Sequence, residues 1–129
     1  MTTPPRPPIT CHILDTTTGR PAPSIPTTLT SLTATPLTYT ALTNPDGRVT
    51  AWTPAPATPD LRTTFDKFAA AGAPTLWEVR FETGAYFEGK GVSPFFPEVT
   101  VRFQVGEYGE HYHVPLLVGP FTYTTYRGS

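Results

Sequence analysis

The sequence predicts an all-β chain, an antiparallel sandwich or barrel, and three observations carry that reading. Its 129 residues include 17 prolines and abundant threonine; proline breaks helices and β-branched threonine prefers extended backbone. Short extended segments recur between Gly, Pro and Asn: "ITCHILD", "TTLTSLTA", "LTYTALT", "GRVTAW", "LWEVRFE", "VTVRFQV" and "HYHVPLLV". Such a cadence marks antiparallel sandwiches and barrels. Two segments alternate cleanly. Trp77, Val79 and Phe81 oppose Glu78, Arg80 and Glu82, and Val99, Val101, Phe103 and Val105 oppose Thr100, Arg102 and Gln104, so each has a core face and a wet face.

In chain order, residues 1–8, "MTTPPRPP", hold four prolines and little to bury, which predicts a flexible extended lead-in ahead of a single domain over residues 9–129. "TNPDGRVT" is turn chemistry: Pro45 fixes one φ, Gly47 is free to take a positive one, and Arg48 opens the next strand. Helix is expected in only two places. "PDLRTTFDKFAAAGAP" can form two or three turns, with Asp60 as cap, Phe65 and Phe68 on one face, and Gly72 and Pro74 as the stop. "TGAYFEGKG" can form one short helix more.

Nine basic and ten acidic residues nearly cancel, so nothing points to a nucleic-acid partner or a polybasic membrane patch. Cys11 is the single cysteine; without an internal disulfide the expectation is an intracellular, reducing compartment. No apolar run reaches the roughly 20 residues of a membrane helix, and "MTTPPRPPIT" lacks a signal-peptide core. The ending Arg-Gly-Ser is not a legible peroxisomal address.

Three histidines and seven arginines are the chemical inventory, histidine being the side chain that exchanges protons near neutrality. His111 and His113, two apart on a strand, share a face with Pro115 and can point into one cleft. On spacing alone they read either as half-exposed surface histidines or, with His12 as a third ligand, as a zinc site without the usual Cys pair. His12 and Leu14 share one face of the first strand, and Cys11, Ile13 and Asp15 the other. Cys11 and His12 therefore point apart and cannot form a nucleophilic dyad. Arg48, at a strand start, can offer several fixed donors to a carbonyl-rich ligand. No serine sits in a Gly-x-Ser-x-Gly elbow.

Three blocks together carry a family resemblance. "HYHVPLLVGPFTYTTYRGS" resembles the C-terminal signature of the 5-hydroxyisourate hydrolases, the transthyretin-like enzymes of urate degradation. "CHILDTTTGRPA" is similar to their N-terminal signature and "TNPDGRV" to their Gly-Arg turn, while "FETGAYFEGKGVSPFFPEVTVRF" is similar to the segment leading to the histidine strand. The resemblance implies a transthyretin-like two-sheet antiparallel β-sandwich of about eight strands, with a short helix at "TGAYFEGKG". It implies a homotetramer, a dimer of dimers with active sites where the dimers meet, and a small-molecule substrate, 5-hydroxyisourate, opened by hydrolysis to 2-oxo-4-hydroxy-4-carboxy-5-ureidoimidazoline. The residues it implies for catalysis are His12, Arg48 and His113. His111, Tyr126, Arg127, Gly128 and Ser129 are implied to bind substrate, and neither metal nor organic cofactor is required.

The chain departs from the family at Cys11, where Thr or Ser is common, at Val118-Gly119, and in a longer stretch from about Thr53 to Pro74. Two other readings stand beside the hydrolase: a transthyretin-type protein that holds a small ligand without chemistry, and a β-sandwich interaction module. The histidine pair and the Tyr-Arg-Gly-Ser ending separate the hydrolase from the first, and the three blocks separate it from the second. Cytosol and peroxisome remain equally open, and so does the choice of His12 or His113 as general base.

Overall fold

The computed structural model describes residues 6–129, so the lead-in expected over residues 1–8 lies outside the described residues for positions 1–5. Pro8 is buried and its carbonyl accepts the Tyr112 N–H at 2.9 Å. Two sheets face each other. The first is ordered β10-β9-β1-β2, from β1 (Ile9–Asp15), β2 (Arg20–Pro21), β9 (Tyr112–Gly119) and β10 (Thr122–Thr125), with β5 (Arg48–Val49) also paired to β1. The second runs β6-β4-β3-β7-β8, from β3 (Pro26–Ser31), β4 (Leu37–Leu42), β6 (Thr53–Pro54), β7 (Thr75–Phe81) and β8 (Val99–Val105). The sandwich is thus as expected, and the alternation of the strands decides what fills it. Ile9, Cys11 and Ile13 point inward from β1 to meet Trp77, Val79 and Phe81 from β7, all fully buried.

Two expectations need correction. Pairing is not antiparallel throughout: β1 and β9 run parallel, Ile9 opposite Tyr112 through Asp15 opposite Val118. A parallel pair needs a long crossover, and here nearly the whole domain supplies it. "GRVTAW" is not one strand either. Within it only Arg48 and Val49 are strand, paired with β1; Thr53 and Pro54, just beyond it, pair with Tyr39 and Thr40 of β4, so the chain crosses from one sheet to the other over residues 50–52. Trp52 sits at the crossing, its indole N–H donating to the Ile9 carbonyl at 2.8 Å.

Both helices form where the sequence places them. In α1 (Leu61–Ala71) the Asp60 carboxylate accepts the Thr63 N–H at 2.8 Å, and Gly72, at φ 74°, closes the end. Phe65 and Phe68 pack on Trp77, at centroid distances of 5.5 and 6.1 Å, and Thr64 hydrogen-bonds the buried Tyr39 hydroxyl at 2.6 Å. This helix closes one end of the sandwich with an aromatic cluster. The shorter α2 (Thr83–Glu88) brings Tyr86, whose hydroxyl donates to the buried Asp15 carboxylate at 2.7 Å. Burial raises the Asp15 pKa, but hydrogen bonds from Thr17 and Tyr86 and the charge of Lys90 outweigh it and hold the carboxyl below its ordinary value. Among the described residues no helix is long and apolar enough to cross a membrane.

Candidate active site

The outer face of β1 carries Thr10, His12 and Leu14, because Ile9, Cys11 and Ile13 are committed to the core. Parallel pairing sets Thr10 opposite His113 and His12 opposite Pro115. On the other side of β1 the short strand β5 places Arg48 directly opposite His12. Residues distant in sequence therefore meet on one wet surface.

The turn before β5 fixes Arg48 in place. Asn44 Oδ1 accepts the Asp46 and Arg48 N–H groups at 2.9 and 3.0 Å, and the Gly47 N–H reaches the Asn44 carbonyl at 2.8 Å. Gly47 takes φ 71°, and a Cβ there would fall 2.5 Å from the Ile13 carbonyl oxygen. Its own carbonyl accepts the Ile13 N–H at 2.8 Å. Glycine is required twice over, by handedness and by contact.

Thr10 joins the two histidines of the C-terminal block. Its Oγ1 lies 2.8 Å from His111 Nε2 and 2.8 Å from His113 Nδ1, and the two rings stack with centroids 6.5 Å apart. Nothing in the sequence singled Thr10 out. Alternation alone put it on the His12 face; only the β1–β9 register reveals the bridge.

The C-terminal tail returns to the same strand. Gly128 forms a bridge to His113, its N–H donating to the His113 carbonyl at 2.9 Å. A Cβ on Gly128 would stand 2.5 Å from His113 Cδ2, so only glycine lets the tail lie against the ring. Arg127 is turned away, paired with Glu110 and lying 4.6 Å over the Tyr112 ring.

His111, His113, Arg48 and Ser129 thus share one cleft of about 200 Å3 with Arg6, Thr10 and Thr50. His12 lies beside this cleft, on the Arg48 side. Tyr126 and Arg127, expected with the others, line a neighbouring groove of about 250 Å3 against Val101, Phe103 and Tyr112, and His113 lines both it and the cleft. Among the described residues no group of three or more His, Cys, Asp or Glu side chains is arranged to hold a metal ion.

All three imidazoles are held below their ordinary pKa. For His113, burial is the main cause, followed by the Arg48 guanidinium, the neighbouring His111 and His12, and Arg6. His12 is lowered by burial and Arg48 against an opposing pull from Asp46. His111 is lowered by burial and Arg6 against the Pro7 carbonyl. Neutral imidazoles beside a permanent cation can accept a proton at neutral pH, and the cation can stabilise developing negative charge.

Comparison with known proteins bears on the family and the fold. The family model described as HIUase/Transthyretin family matches residues 9–128. A probable 5-hydroxyisourate hydrolase of Schizosaccharomyces pombe is 41% identical over 95% of this chain and 92% of its own. The 5-hydroxyisourate hydrolase of Deinococcus radiodurans is 39% identical over 95% and 97%. Among solved structures, 5-hydroxyisourate hydrolase of Klebsiella pneumoniae superposes with TM-score 0.68 at 30% identity, covering 94% of this chain and 97% of that one. Transthyretin of Sparus aurata gives 0.72 at 27% identity, over 95% and 97%. By sequence along nearly its whole length, and by a sandwich whose outer face gathers the histidines, this chain belongs to the HIUase/Transthyretin family.

Proposed function

We propose that this protein hydrolyses 5-hydroxyisourate to 2-oxo-4-hydroxy-4-carboxy-5-ureidoimidazoline in urate degradation. The observation that carries the reading is the convergence of two neutral histidines, Arg48 and Ser129 in one small cleft. Relatives named for this reaction over nearly the full chain support it.

Opening a ring amide by water requires a base, a stabilised oxyanion and a proton for the departing nitrogen. His113, in the cleft, takes the proton from water, a role worth about 10²- to 10⁴-fold. Arg48 binds the carbonyl-rich ring and balances the charge that develops on the attacked carbonyl. His12, directly across the ladder from Arg48, orients that guanidinium and the water. His111 and Ser129 line the substrate, with Gly128 allowing the tail to approach and Arg127 anchoring it. No residue role here needs a metal or organic cofactor.

The assembly proposed is a homotetramer, a dimer of dimers with the clefts between dimers. Support comes from the exposure of the edge strand β10 and of Phe121, Tyr123 and Tyr126 on and beside it, an edge that folded proteins rarely leave uncovered. Tyr126 would reach substrate across such an interface. Freshly generated 5-hydroxyisourate, followed by ultraviolet absorbance, should decay far faster with the protein and give a single stereoisomer of product. Uncatalysed decay with tight retention of the ligand would instead establish a binding protein. A light-scattering mass tests the tetramer.

A further inference from the structure

We infer that Thr10 is a positioning residue that holds His113 in the tautomer with the proton on Nδ1, so that Nε2 presents a bare lone pair to the cleft. A hydroxyl has one proton and here faces two ring nitrogens, His111 Nε2 and His113 Nδ1, each at 2.8 Å. It can donate to one ring at most and must accept from at least one. The two histidines are therefore coupled: when Thr10 donates to His111, His113 has to donate its Nδ1–H to Thr10.

The geometry favours that polarity. Of the three arrangements open to the hydroxyl, donating to His111, donating to His113 or accepting from both rings, two put the His113 proton on Nδ1. The Pro7 backbone beside His111, which raises the pKa of that ring, competes with Thr10 for the single N–H of a neutral His111 and favours the first of them.

The remaining edge of the His113 ring is fixed by the tail. Gly128 lies so close to Cδ2 that a Cβ would come within 2.5 Å, and a half-turn of the ring, which swaps Nδ1 with Cδ2 and Nε2 with Cε1, would give up the Thr10 contact. Nδ1 is spent, the Cδ2 edge is covered, and Nε2 is the nitrogen left for chemistry. In the proposed reaction Nε2 takes a proton from water as the water oxygen bonds to the carbonyl carbon. The imidazolium keeps its Nδ1–H on Thr10 Oγ1 and returns the Nε2 proton to the departing ring nitrogen. Thr10 itself touches no reacting atom.

Only the kinetic part of the test rests on the hydrolase reading. Long-range 1H–15N correlation of the side chains, at about pH 8 where the imidazoles are neutral, should show the wild-type His113 proton on Nδ1. Thr10→Val removes the hydroxyl at nearly constant shape and should shift His113 toward Nε2–H, the form a free neutral imidazole prefers. Thr10→Ser should restore the wild-type pattern. The same Val variant should lose about 10- to 100-fold in kcat, with KM changed by less than about threefold. That is smaller than the roughly 10²- to 10⁴-fold of a positioned base, since the ring still visits the competent form. A wild-type His113 protonated on Nε2 overturns the inference, and so does a folded Thr10→Val protein with unaltered tautomer and kcat. If the tautomers behave as described but hydroxyisourate is not hydrolysed, the positioning role stands and the substrate assignment falls.

Discussion

Arg48 stands directly opposite His12 across the antiparallel β1–β5 pair, and it does so because Asn44 and Gly47 lock the turn beneath it. Replacing Arg48 by Ala should lower kcat/KM by about 10²- to 10³-fold, the scale of losing one oxyanion-stabilising donor, with the fold retained by circular dichroism. Arg48→Lys should recover only part of it, because an ammonium lacks the planar fork. Wild-type turnover in the Ala variant would remove Arg48 from the site.

Gly47→Ala should damage stability and activity together. The positive φ alone costs roughly 1–2 kcal/mol for a residue with a Cβ, and the contact with the Ile13 carbonyl adds to it. Urea unfolding should report a lower midpoint, and the surviving folded protein should turn over slowly because Arg48 is displaced.

The acid limb of the rate profile should fall below pH 6.5, the ordinary histidine value, since burial and nearby cations lower His113 and the base must be neutral. His113→Asn should lose about 10²-fold or more and erase that limb. Stability follows the same sign. Folded histidines with lowered pKa values bind fewer protons than the unfolded chain, so stability present above pH 6.5 declines as pH falls through the folded values. Urea midpoints at about pH 8 and about pH 5 should show the decline, shared with any other group that titrates there.

Deleting Tyr126 to Ser129 should abolish turnover and leave a folded sandwich, because the tail's contacts are the Gly128 bridge and the Arg127 pairing outside the core. Gly128→Ala tests the approach itself: its Cβ would press on the His113 ring, so kcat should drop with little change in melting temperature. Normal rates in the truncated protein would assign the ending no role.

Far from the cleft, Asp60→Ala should cost about 1 kcal/mol of stability by removing the α1 cap, and leave kcat unchanged. Chemical denaturation against the same assay separates this from a site effect.

Most of the strands were legible because alternation is a local signal: β1, β7 and β8 declare their faces residue by residue, and so His12 could be set apart from Cys11 and Ile13, and His113 from Tyr112 and Val114. The caps of α1 were equally local. What bridges those faces was not. Thr10 meets His111 and His113 across sequence separations of 101 and 103 residues, and a parallel register over such a distance leaves no periodic trace. "GRVTAW" misled for a related reason, since a β-prone run does not reveal that the strand stops at Val49 and the chain leaves for the other sheet. Arg127 entered the expected site only through the family resemblance of the Tyr-Arg-Gly-Ser ending, and nothing in the sequence signalled that its guanidinium would pair with Glu110 and lie over the Tyr112 ring.

The parallel pairing of β1 with β9 also governs when the protein can begin to work. During synthesis Thr10 and His12 emerge well before the histidines that complete their surroundings, which follow Thr10 by 101 and 103 residues. A nascent chain that already contains β1 through β8 has an open slot beside β1 and no cleft at all. Nonlocal pairing of this kind slows folding; it also means that His111 and His113 join Thr10 and Arg48 only once β9 has docked beside β1.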